Sequence, residues 1–220
     1  MANIMATKID SESDQTLVSR IEADLLAGHF RPGEWLKQAD VEANYNANRF
    51  DVRMALLDLK ARQLIEHIPN RGFRVINLSE REREELFETR SILETAAAKL
   101  AAERISDETI AELEAIVRQF EVQMETAELD ELRALNGRFH DLLYQSSGNS
   151  LLAEEIKALR QRGLPGARGG GLAWRTMAGI LQSHEDHVRM IALLRARDGD
   201  GLAEAICGHL NMWRKYLPKP

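Results

Sequence analysis

The sequence predicts a mainly α fold in two parts: a small N-terminal domain of helices closed by one β-hairpin, and a larger C-terminal domain of helices alone. Three observations predict it. Apolar residues recur at helical spacing along most of the chain. Two short runs, Leu64–Ile68 and Phe73–Ile76, flank a turn at Pro69–Gly72 and read as a hairpin. After Val75 no further strand is credible.

Asp14 is placed to cap a first helix whose apolar positions are Leu17, Val18, Ile21, Leu25 and Leu26, with Gly28 ending it. Pro32-Gly33 sets a turn in "FRPGEWL". A short helix over 38–44 follows, then "YNAN", then a longer helix from 49 to 62 for which Asn48 is an N-cap. Helix, helix, turn, helix and hairpin in that order describe a winged helix-turn-helix, assigned to residues 10–77. Ser79 and Glu82 have capping-box spacing and open a helix through "LFETRSILETAAAKLAAER". Ser106 caps the next, with Ile110, Leu113, Val117 and Phe120 on one face, and three or four more helices follow. Residues 78–220 form this all-α domain, long enough to bury its own core.

Composition narrows the function. The 220 residues are 44% hydrophobic and 29% charged, an ordinary balance for a soluble globular chain. No uncharged apolar run is long enough to span a membrane, and "MANIMATKIDSESDQ" lacks the apolar core of a secretory signal. The single cysteine, Cys207, excludes an intrachain disulfide and a cysteine-based zinc ribbon, so a cytoplasmic location is expected. The net charge of -6 argues against a general nucleic-acid binder. It hides a local reversal: residues 49–76 carry Arg49, Arg53, Lys60, Arg62, Arg71 and Arg74 against Asp51, Asp58 and Glu66. Arg49 and Arg53 are one helical turn apart and share a face, from which a guanidinium can bridge guanine O6 and N7 or hold a phosphate.

The stretch "GHFRPGEWLKQADVEANYNANRFDVRMALLDLKARQLIEHIPNRGFRV" resembles the GntR-type bacterial transcription regulators across its length. The matching residues are Pro32, Gly33, Leu36, Arg49, Val52, Arg53, Ala55, Leu56, Pro69, Arg71 and Gly72. The resemblance implies a double-stranded DNA operator read by the third helix and the hairpin, with Asn48, Arg49, Phe50, Arg53, Arg71 and Gly72 as DNA-binding residues. Departures are Asp51 at a usual proline, Met54 at a usual glutamate, and Tyr45-Asn46 in place of Leu-Gly. Phe50 replaces a small residue and could pack on a thymine methyl. A homodimer on a palindromic operator is expected, because one recognition helix reads too few bases.

The C-terminal half raises a second question. Asn136 and His140 lie in or beside the stripe of Leu132, Leu135, Phe139 and Leu143; His187 sits amid Ile180, Ile191 and Leu194. His209 lies on the stripe of Leu202, Ile206, Trp213 and Tyr216. Each could be a core histidine bonded to a backbone carbonyl. Three on three helices would then need three separate partners, whereas one divalent metal accepts all three imidazoles.

These stretches, "ETRSILETAAAKLAA", "NGRFHDLLYQSSGN", "HEDHVRMIALLRARDGD" and "AICGHL", resemble the FCD ligand-binding domain of the FadR branch of the same family. The resemblance implies a metal, zinc or nickel, on Asn136, His140, His187 and His209, and a small organic acid effector beside it. Arg90 matches an arginine near the effector cavity; the alternative is an ion pair with Glu94 at i+4. "RGLPGARGGGLAWR" reads as a connector or as a lid that would turn Arg168, Trp174 and Arg175 toward the effector. His184 is placed outside the ligand set. The expected function is a metabolite-responsive regulator rather than an enzyme, with a metal-sensing regulator or a metal-dependent enzyme as alternatives. An enzyme is disfavoured because no carboxylate beside a ligand histidine faces the core: Asp141 and Glu185 point elsewhere by helical phase.

Overall fold

A computed structural model describes residues 16–162 and 176–212, and the chain divides into two compact units between Asn77 and Leu78. Asp14 and the 163–175 segment lie outside the described residues.

In the first unit, α1 (Leu17–Ala27) is capped by Thr16, whose Oγ1 accepts from Ser19 N at 3.2 Å. Gly28 ends it with φ of 84°. Helix α2 (Gln38–Tyr45) stops at Asn46, which takes the left-handed conformation at φ 50°. Asparagine is one of the few side chains that tolerate it, which accounts for Asn46 where a glycine is usual. The adjacent Tyr45 is buried and donates its hydroxyl to Asp24. Helix α3 (Arg49–Ala61) starts at Asn48, whose Oδ1 accepts from Asp51 N at 3.0 Å.

Strands β2 (Ile65–Ile68) and β3 (Gly72–Val75) form the hairpin, and β1 (Trp35–Leu36) adds a third strand in the order β1-β3-β2. β1 is a correction: the segment after Pro32-Gly33 is a strand as well as a turn, pairing Trp35 with Arg74 and Leu36 with Phe73. The core is Ile21, Leu25, Val52, Leu56, Leu59 and Leu64, all without solvent exposure. Truncating one of these leucines to alanine costs about 2–5 kcal/mol.

In the second unit α4 runs without a break from Glu80 to Arg104. Its capping box is complete: Ser79 Oγ accepts from Glu82 N at 3.2 Å, and Glu82 Oε2 accepts from Ser79 N at 2.8 Å. Five further helices follow among the described residues: α5 (Asp107–Gln123), α6 (Leu129–Gln145), α7 (Ser150–Arg162), α8 (Met177–Arg195) and α9 (Gly199–Leu210). Alanines 97, 98, 101 and 102 of α4 are fully buried, and α9 packs closely against that helix. A Cβ on Gly199 would stand 3.3 Å from Lys99 Cα, so the small residue permits the approach. Helices α6, α8 and α9 turn polar side chains into this apolar core, and that is where the site lies. No helix among the described residues is long and apolar enough to cross a membrane.

Candidate functional site

Three helices each deliver one imidazole: His140 from α6, His187 from α8 and His209 from α9. Their ring centroids form a near-equilateral triangle with sides of 5.1, 5.1 and 5.2 Å. One ring nitrogen from each lies within 4.8 Å of the others. His140 Nε2 and His187 Nε2 are 3.3 Å apart. Two nitrogens on one tetrahedral zinc, at bonds of 2.0–2.1 Å, stand roughly 3.3–3.4 Å apart, so this edge fits a shared ion.

His140 and His187 are almost completely buried. Burial first, then the Arg160 charge for His140 and the His209 ring for His187, hold both well below the ordinary histidine pKa. That shift favours the neutral form, the one that binds a metal. One turn before His140, Asn136 carries a buried Oδ1 with no hydrogen-bond partner among the described residues. An unpartnered buried amide oxygen one turn from His140 is a donor atom that a cation could satisfy. His209 is less buried, and its Nδ1 lies 2.9 Å from Asp186 Oδ2, which leaves Nε2 to the cluster.

Against His140 stands a buried ion cluster. Tyr144, one turn further along α6, stacks on His140 at 5.9 Å and donates its hydroxyl to Glu94 Oε2. Glu94 on α4 is completely buried. Arg90 Nε lies 2.7 Å from Glu94 Oε1, and Arg160 Nη1 lies 3.7 Å from its Oε2. Burial would raise the Glu94 pKa, but the two guanidiniums and the Tyr144 hydroxyl hold it below the usual value. Two guanidiniums against one carboxylate leave this wall of the site net positive.

In the other unit, Arg49, Arg53 and Phe50 are exposed on α3. Neither arginine has a carboxylate partner among the described residues. The groove between α3 and the hairpin has a volume of about 530 Å³ and is lined by Trp35, Lys37, Arg53, Lys60, His67 and Arg71. Arg71 rests over the Trp35 ring at 4.6 Å. Gly72 has φ of 100°, a conformation that side chains rarely adopt, which fixes glycine at the hairpin tip.

This pairing of a basic winged helix-turn-helix with a histidine-centred helical domain matches two family models. One is the FCD domain, over residues 85–212; the other is the gntR family of bacterial regulatory proteins, over residues 14–75. The chain is an FCD regulator of the gntR family. It is 29% identical over 185 residues to the Nta operon transcriptional regulator of Aminobacter aminovorans, covering 83% of each chain. It is 26% identical over 197 residues to the transcriptional repressor RspR of Escherichia coli, covering 90% of this chain and 85% of that one. The solved structure of Escherichia coli McbR/YncC superposes with a TM-score of 0.78 at 22% identity, over 91% of this chain and 97% of that one, and so shares the fold.

In this FCD regulator the structure brings together three of the four ligands expected from sequence, His140, His187 and His209, and puts the fourth, Asn136, one turn before His140. His184 lies outside the cluster, stacked on Phe120 at 6.1 Å. Arg90 forms the ion pair with Glu94, so its Nε is not free for an effector. Arg168, Trp174, Arg175 and the glycine-rich lid or connector lie outside the described residues. Asp141 does point elsewhere, to Lys157 at 2.8 Å. The absence of any carboxylate at the histidines is overturned by Asp186, which neighbours His187 in sequence but turns to His209 on α9. Tyr144 and Arg160 were also not singled out; the signal available was the i+4 spacing from His140 to Tyr144.

Proposed function

We propose that this FCD regulator is a metabolite-responsive transcriptional regulator, a homodimer on a palindromic operator, whose helical domain senses a small organic acid beside a divalent metal. Asn136, His140, His187 and His209 would hold the metal, zinc or nickel. The single observation that carries this reading is the triangle of buried imidazoles on α6, α8 and α9 with an orphaned amide oxygen one turn away. If bound, the ion would supply a Lewis-acidic cation held mainly by the three imidazoles, and a carboxylate oxygen could complete its shell by displacing the weaker Asn136 amide oxygen or by adding to it. Asp186 orients His209, and the net positive Arg90–Glu94–Arg160 wall favours an anion over a neutral metabolite.

On the DNA side, Arg49 and Arg53 read bases or hold phosphates, while Phe50 meets the base edges. Arg71 holds phosphate at the tip formed by Gly72. Asn48 presents the N-terminus of α3 to DNA, its own amide being engaged by Asp51. Two recognition helices on two half-sites double the sequence discrimination, which is why a dimer is proposed. Light scattering of the DNA-bound protein should show two chains per duplex; one chain would overturn the dimer.

Elemental analysis of the purified full-length chain tests the site. About one equivalent of metal per chain is expected, with His187→Ala and the less buried His209→Ala each losing most of it. Less than about half an equivalent, unchanged by both substitutions, overturns the metal and returns the histidines to a purely structural role.

A further inference from the structure

Helix α3 carries three ridges on its solvent side, and only one of them has the charge expected of a DNA reader. Val52, Ala55, Leu56 and Leu59 face the core. Directly opposite, by helical phase, lie Phe50, Met54 and Leu57 at i, i+4 and i+7, with 71%, 51% and 41% exposure. On one flank run Arg49, Arg53 and Lys60. On the other run Asp51 and Asp58, which are engaged locally: Asn48 Nδ2 donates to Asp51 at 2.6 Å, and Arg62 pairs with Asp58 at 2.9 Å.

The apolar ridge does nothing for the core of its unit, and it lies along the outermost line of α3, the recognition helix of a winged helix-turn-helix, which enters the major groove. Its occupant must be apolar where it meets Phe50 and Met54 and anionic where it meets Arg49 and Arg53. The major groove offers both together. Phosphates and guanine edges suit the arginines, and the one apolar group displayed there by any base pair is the C5 methyl of thymine.

We propose that Phe50 and Met54, extended by Leu57, select operator positions by packing on thymine methyl groups. Phe50 stands in the first turn of α3, the part of a recognition helix that reaches deepest, and so makes the leading contact. A phenyl ring can neither donate to nor accept from a base edge, so discrimination at that position comes from the methyl and not from hydrogen bonding. The inference rests on the proposed role of α3 in the DNA interface and adds to it the base and the atom that are read.

The full-length chain is used to select duplexes from a random library, and each thymine of the selected site is replaced in turn by deoxyuridine. That change removes the methyl and leaves every hydrogen-bonding edge in place. One or more thymines should each lose about fourfold in affinity, the worth of one buried carbon. The same replacement should cost nothing in Phe50→Ala or Met54→Ala at the position each one reads. Both side chains are exposed, so the variants keep their core, and thermal unfolding checks this. A selected site with a flat deoxyuridine profile, or a profile unchanged in both variants, overturns methyl readout while leaving the DNA interface intact. Enrichment of no duplex at all overturns the role of α3 on which the inference rests.

Discussion

Asp186 Oδ2 sits 2.9 Å from His209 Nδ1, linking α8 to α9, while Gln182 Nε2 donates to the other carboxylate oxygen at 3.1 Å. The carboxylate accepts the Nδ1 proton, so the His209 Nε2 lone pair is turned toward His140 and His187. Asp186→Asn should leave the fold unchanged and weaken zinc binding about 10–100-fold, the usual effect of losing such an orienting carboxylate. Competition against a chromophoric chelator measures it. Equal affinities in the two proteins would show that Asp186 has no part in holding the ion.

Glu94 is the carboxylate partner of two guanidiniums inside the helical unit. Glu94→Gln strands both in a desolvated place and should destabilise the unit by about 3–5 kcal/mol, read from urea unfolding. Tyr144→Phe removes only one hydrogen bond to a charged group and should cost about 1.5–3 kcal/mol. A loss under about 1 kcal/mol for Glu94→Gln would mean the cluster is wetter than its burial implies.

Stability should also report the buried histidines. Because His140 and His187 have depressed folded pKa values, neither state binds their protons above the ordinary pKa of about 6.5. As pH falls below that value, the unfolded chain takes up protons that the folded chain refuses, so metal-free protein loses stability downward from about pH 6.5. Glu94, also depressed, adds a second loss as pH falls through its own folded pKa, below the ordinary carboxylate range. Thermal melts of chelator-treated protein between pH 8 and pH 5 should be flat at first and then decline. A flat line throughout would contradict neutral burial of the pair.

Arg49→Ala and Arg53→Ala should each cost about 1–3 kcal/mol on the selected operator if they read bases, with little effect on random DNA. Arg71→Ala should weaken both alike and reduce the salt dependence by about one phosphate. Filter binding across a salt series separates the two cases. Identical behaviour of all three variants would reverse the assignment.

Helical phase exposed His140, His187 and His209, because each position could be compared with the apolar stripe of its own helix. It could not pair side chains that meet only after folding. Asp186 precedes His187 by one residue yet serves His209, 23 positions away; Tyr144 reaches Glu94 across 50. Strand β1 escaped for a similar reason: two residues have no periodicity of their own, and Trp35-Leu36 is a strand only because β3 supplies the ladder. The basic ridge of α3 was legible as Arg49 and Arg53. The apolar ridge beside it needed the exposures of Met54 and Leu57 to be recognised as a surface.

The capping box at Ser79 and the ion pair at Arg90–Glu94 belong to one uninterrupted rod, since α4 contains neither proline nor glycine between Glu80 and Arg104. At 1.5 Å per residue, Arg90 and Glu94 stand about 16–22 Å along that rod from its capped end. A stiff helix stores little of a displacement along its length, so a tilt imposed where the histidine cluster and Glu94 meet is delivered at Ser79 as a larger sideways excursion. In that sense α4 is a lever arm built into the helical unit, with the Glu94 ion cluster near its middle and the Ser79 capping box at its end.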